Sequence, residues 1–334
     1  MISIARHQHN QGSIPFAATA LSLGVIAALL ASIAPIAFSI ATVFLFAGPH
    51  NWIELRYFLS RLPARFAKMR SFFLVSFGGL AVLVTLYLSL VFLVQSGLVP
   101  EPVRNCSLVV WNSLLVLWIV GLAKIAGNHS HGGAWGAVVP LGLAVCALAT
   151  VWPEFFWLTL VYAHPLIGLW ILDSEIARSR PAWRKAYHLC LLSIPVLLAL
   201  IWGHLANSPH LSQSTPVTWQ IAQHAGAGLL SGLSSHLLVS THTFLEMLHY
   251  GVWLLAVPLV SAGWQSYRPK SIPLTCRSPF SKGLVSVVLA VSSLAVVALW
   301  YAFASNFAVA REFYFTLAII HVLAEIPFLF RSLV

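Results

Sequence analysis

Along this chain, apolar stretches of about twenty residues alternate with short polar breaks. That is the length a helix needs to cross about 30 Å of hydrocarbon. The apolar windows fall near residues 16–34, 36–58, 71–96, 105–123, 133–152, 154–172, 186–205, 240–263, 283–305 and 309–330. Residues 16–47 are too long for one span at about 1.5 Å per residue, and Pro35 offers a break. The pattern therefore predicts nine spans if the first two windows form one bent helix, and ten if they are separate. Because the apolar pattern resumes after Pro35, the first window is expected to be a span and not a cleaved signal. The expected fold class is all-α: a polytopic transmembrane helical bundle forming one integral membrane domain over residues 1–334, with residues 1–15 as a tail. The longest segment between windows, 206–238, contains no charged residue. Within it, residues 215–236 suit a short interfacial helix or a re-entrant lid, the alternative being an ordinary loop.

Composition narrows the class further. The chain has 334 residues, of which 59% are hydrophobic and 8% charged. A water-soluble domain carries about 25% charged residues, so this chain lacks the polar surface to be one. The net charge of +10 does not point to nucleic acid, because the basic residues form short clusters between apolar windows. Those clusters are Arg61, Arg65, Lys68 and Arg70; Arg178, Arg180, Arg184 and Lys185; and Arg268, Lys270, Arg277 and Lys282. By the positive-inside rule these loops are expected to be cytoplasmic, as are both termini if there are ten spans. The expected location is the bacterial inner (plasma) membrane. Cys106, Cys146, Cys190 and Cys276 form no C-x-x-C pair and are expected to be reduced and structural.

Charged groups inside hydrocarbon cost about 2.5–3.5 kcal/mol each on insertion scales, so ionisable residues within the windows point to a purpose. Measured along each helix from its expected outer end, His249 lies about 14 Å deep, His164 about 15 Å, His321 about 18 Å and His50 about 21 Å. Neutral imidazole is the commonest protein metal ligand, so four histidines in one layer are candidates to hold an ion or flank a cofactor. Glu54 follows His50 by four residues and Glu325 follows His321 by four, while His242, Glu246 and His249 share one stripe. Glu54, Glu246 and Glu325 are placed either to accept the second N–H of a ligating imidazole or to ligate a second ion.

Two alternatives use the same residues. Facing histidines also suit bis-His ligation of haem b in an electron-transfer subunit with quinol as partner. Buried His and Glu residues also serve proton or ion handling in a transporter or assembly factor.

The segments carrying these residues resemble one family. AGPHNWIE (residues 47–54) is similar to the Gly-x-Pro-His-Gly-x-x-Asp segment of the Brp/Blh-type membrane-embedded β-carotene dioxygenases. TLAIIHVLAEIPFLFR (residues 316–331) resembles the His-x-x-x-Asp and Phe-Arg ending of those proteins, with Glu standing where they have Asp. His164, His242 and His249 fall in the order of the family's internal histidines. The resemblance implies a polytopic enzyme that binds non-haem iron through histidines and uses O2 to cleave a carotenoid. His50, His164, His249 and His321 would then be the iron ligands, with His242 in reserve. The expected partners are membrane lipid and an apolar small-molecule substrate such as a carotenoid or isoprenoid, with no nucleic acid.

Overall fold

A computed structural model describes residues 12–63, 69–129, 135–261 and 272–332. The parts of the expected tail before residue 12, the loop residues Arg65, Lys68, Arg268 and Lys270, and His131 lie outside these described residues. The described elements are all helical: α1 (Ser13–Ile33), α2 (Pro35–Arg61), α3 (Arg70–Gln95), α4 (Glu101–His129), α5 (Val138–Val151), α6 (Pro153–Ser179), α7 (Arg184–Leu205), α8 (Pro216–His224), α9 (Ser235–Gly251), α10 (Pro279–Ser305) and α11 (Phe307–Ser332). A π-helical turn, Val252–Ala256, and a last α turn, Val257–Val260, extend α9.

Proline sets several of the boundaries. A residue before proline is pushed out of the α region, while proline itself suits the first helical turn. Ala34 (φ −139°, ψ 58°) accordingly breaks the chain before Pro35, so the first two windows are separate helices. Trp152 before Pro153 and Arg180 before Pro181 show the same backbone. Among the described residues, nine helices are long and apolar enough to span a membrane. The protein is thus a polytopic, all-helical integral membrane protein. The remaining window, 133–152, yields only the 14-residue α5. At about 1.5 Å per residue this reaches about 21 Å, short of the hydrocarbon thickness.

The chain divides into two compact units, Met1–Leu62 with Gly168–Ala308, and Pro63–Ile167 with Val309–Val334. In the first unit, α9 packs against α1, α2, α7 and α8, and α10 packs against α2. Half of the extended α9 is buried, the largest share of any span, so its polar residues lie within protein and not against lipid. The segment before α9 is partly ordered into α8, which Thr215 caps by accepting from the Thr218 N–H at 3.2 Å. Ile221, Ala222 and Ala225 of this segment pack against Leu238 and Val239 at the start of α9. In the second unit α3, α4 and α5 pack in series. Trp111 and Trp118 donate to the carbonyls of Leu83 and Val75 at 2.9 and 2.8 Å, which ties α4 to α3 through satisfied indole N–H groups.

Candidate functional site

The first unit builds one polar cluster inside its apolar core. His50 and Glu54, one turn apart on α2, are each only 1% exposed. From α9 come His249 and Tyr250, each 2% exposed, and Glu246. The His50 ring lies 5.3 Å from that of His249 in edge-on geometry and 4.7 Å from that of Tyr250. The Tyr250 hydroxyl donates to Glu246 Oε1 at 2.9 Å. His50 Nδ1 is 3.0 Å from the Phe46 carbonyl. A carbonyl only accepts, so Nδ1 carries the proton and the lone pair of His50 is on Nε2. Candidate ligand atoms of His50, Glu54 and His249 lie within 4.8 Å of one another. Ligands of one ion at about 2.1 Å stand no more than about 4.2 Å apart, so this trio needs little movement to close on a metal.

The second unit builds a different cluster. His164 on α6 and His321 on α11 face each other with Nε2 to Nε2 at 3.2 Å. Glu325, fully buried, places Oε2 2.9 Å from His164 Nδ1. That carboxylate favours the tautomer with the proton on Nδ1, which puts the His164 lone pair on the nitrogen that faces His321. Two ligands on one ion at about 2.1 Å stand about 3.0 Å apart at a right angle and about 3.4 Å apart at the tetrahedral angle, and 3.2 Å falls between. In the absence of an ion the same distance suits an N–H···N hydrogen bond from His321 to His164.

Four of the site residues sit near an irregularity of their helix. Pro49 precedes His50, Pro165 follows His164, and Pro327 follows Glu325 by two positions, all inside helices. The π turn begins three residues after His249. Prolines and π turns remove or displace helical hydrogen bonds, and they recur where helices serve function. Gly168 allows close packing here as well, since a Cβ on it would lie 3.2 Å from His249 Nδ1.

The sequence-based candidates fare differently. His50, Glu54 and His249 come together, as do His164, His321 and Glu325. Glu325 reaches His164 on another helix, a partner that its spacing from His321 did not reveal. His242 belongs to no metal-sized group of three among the described residues and instead meets His224 of α8, ring to ring at 5.0 Å. Glu246 is engaged by Tyr250. Asp173, in the stretch after His164, accepts from Arg184 at 3.1 and 2.7 Å and lies 2.8 Å from His188. The four cysteines are free thiols, and among them only Cys190 is buried.

One buried network escapes a motif search. Glu175 on α6, 1% exposed, pairs with Arg61 of α2, accepts from the Tyr57 hydroxyl at 3.1 Å, and accepts from Ser179 at 2.8 Å. Tyr57 packs edge-on to Trp253 at 5.4 Å, and Trp253 lies 6.4 Å from His249. The available signal was Tyr57 and Arg61 at i and i+4, one face of α2, but the partner more than a hundred residues away has no local signature. Arg56, also on α2, is buried. Comparisons with known protein families, with curated proteins and with solved structures found no match.

Proposed function

We propose that this protein is a membrane-embedded, histidine-ligated metalloenzyme, a non-haem iron oxygenase acting on a lipid-soluble substrate such as a carotenoid or another isoprenoid. The observation that carries the reading is the tautomer pattern. His50 directs Nδ1 to the Phe46 carbonyl and so presents Nε2 as a lone pair inside the apolar interior, and the Glu325 carboxylate lies 2.9 Å from His164 Nδ1 as an electrostatic contact that favours the same tautomer there. Buried neutral imidazoles oriented in this way are how proteins hold transition metals. Iron held by these histidines would supply O2 activation.

The residues have separable roles. His50 and His249 on one hand, and His164 and His321 on the other, are the ligands. Glu325 stands beside His164 Nδ1, where it orients the ring, and Glu54 has a ligand atom within 4.8 Å of those of His50 and His249. The surrounding apolar side chains exclude water, and an apolar substrate entering from the lipid needs no water-facing cleft. The 3.2 Å between His164 and His321 favours this reading over haem. Two imidazoles that held one haem iron at about 2.1 Å each would need their nitrogens about 4.2 Å apart.

The test is elemental analysis and a visible spectrum of the purified full-length protein, followed by supply of β-carotene and O2. Iron above background, no Soret band, loss of iron in His50→Ala and His321→Ala, and formation of retinal are expected. Preparations with no iron, manganese or zinc above background would sink the metalloenzyme reading. A Soret band would replace it with the haem reading.

A further inference from the structure

The first unit also contains an apolar cavity of about 480 Å³, bounded by α1, α6, α7 and α9. That volume lies within the range of about 300–1,000 Å³ typical of small-molecule sites. Leu23, Leu169, Ile194, Leu197 and Leu255 are among the aliphatic side chains that line it. They all belong to helices long and apolar enough to span a membrane, so the cavity is open to hydrocarbon chains and unsuited to a soluble ligand.

One end of the cavity is different. Trp183 lines it there, stacked on Phe16 at 5.1 Å, with the Arg180 guanidinium 5.4 Å from its ring centroid. Trp is the residue that helices place at the boundary between hydrocarbon and headgroups, which marks this end as the interfacial one. Arg184 follows at once, held in a two-pronged hydrogen bond by Asp173. Arg180 and Lys185 are both exposed, and the ion pairs among the described residues involve neither. The exposed Arg180 guanidinium over Trp183 therefore sets a positive charge at the one end of the cavity that an interfacial aromatic identifies, and Lys185 follows two residues after Trp183.

We propose that this cavity is a binding site for an anionic phospholipid, with an acyl chain between α1, α7 and α9 and the phosphate at Arg180 and Lys185. The two halves of the site call for the two halves of one molecule. A free phosphate has no use for the apolar wall, and a zwitterionic lipid gains little from the unmatched cations. Arg184 is restrained by Asp173 and frames the headgroup position. The proposal is independent of the metal reading, since none of these residues belongs to the histidine clusters.

The experiment uses the full-length protein in nanodiscs doped with phosphatidylglycerol carrying a photoactivatable diazirine on its acyl chain, and phosphatidylcholine with the same chain as the control. Crosslinked peptides are mapped by mass spectrometry. Labelling at Leu23, Ile194 and Leu255 is expected to be about fivefold stronger with phosphatidylglycerol. The double variant Arg180→Gln and Lys185→Gln should bring it down to the phosphatidylcholine level with metal content unchanged. Ile194→Trp, which fills the cavity, should lower labelling by both lipids. Equal labelling by the two headgroups, or labels spread over the lipid-facing helices and absent from the cavity, overturns the proposal. The headgroup comparison on the unmodified protein decides this even if a variant is unstable.

Discussion

The histidines of the first unit and those of the second are held by different kinds of neighbour. His50 is oriented by its own helix, through a carbonyl one turn back, and is walled by the aromatic rings of Tyr250 and His249. His164 is oriented by a carboxylate from another helix and faces a second imidazole at 3.2 Å. In the first case a backbone carbonyl and ring packing orient the imidazole. In the second, the orientation depends on one buried acid. The first cluster also rests, through Trp253 and Tyr57, on the Glu175–Arg61 ion pair.

The strongest way to break this comparison is Glu175→Ala. Removing one member of a fully buried ion pair costs about 3–5 kcal/mol, and the loss here is smaller, because Arg61 is partly exposed and keeps its bond to Ser261 while the Tyr57 hydroxyl loses its buried acceptor. A drop in thermal stability in detergent is expected, with diethylpyrocarbonate modification rising at His50 and His249 and staying unchanged at His164 and His321. Equal rises at all four histidines would show that the ion pair supports the whole fold and not the first cluster.

Glu325→Ala acts on the other side. Loss of a carboxylate that orients a ligating histidine lowers metal affinity by about 10–100-fold. Competition with a chelator measures it, and Glu325→Gln should recover part of the loss because the side chain keeps an oxygen beside His164 Nδ1. An affinity unchanged in both variants would remove Glu325 from the site.

Gly168→Ala is the finest probe. Its Cβ would stand 3.2 Å from His249 Nδ1, closer than buried packing comfortably allows, and 3.5 Å from Trp253 Nε1, an ordinary van der Waals contact. The expected cost is about 1 kcal/mol, seen as a lower melting temperature with a small shift of the His249 ring. A variant as stable as the parent would mean that the α9 side of the cluster has slack.

Much of this architecture is legible along the chain. The apolar windows predict the spans because crossing hydrocarbon imposes length and composition on each helix separately. Pro35 identifies the boundary between α1 and α2 for an equally local reason. The window 133–152 misleads because apolar composition continues beyond the short α5 that forms there. The pairing within α2 is legible too, since i and i+4 share a face whatever surrounds the helix. Glu325 illustrates the opposite. Its spacing from His321 suggests a partner on α11, whereas the carboxylate reaches His164. His242 has the same local credentials as His249, yet it meets His224 of α8.

The sequence by itself therefore determined that this is a polytopic helical membrane protein with His–carboxylate pairs inside its spans, because hydrophobic length and helical periodicity are properties of short stretches of chain. Only the tertiary structure decided which imidazoles face one another, which acid orients which ring, that Glu175 braces Arg61 and Tyr57, and that a cavity lies beside Trp183. Those outcomes depend on how helices distant in sequence pack, and a side chain's partner across a helix interface leaves no periodic mark on either helix.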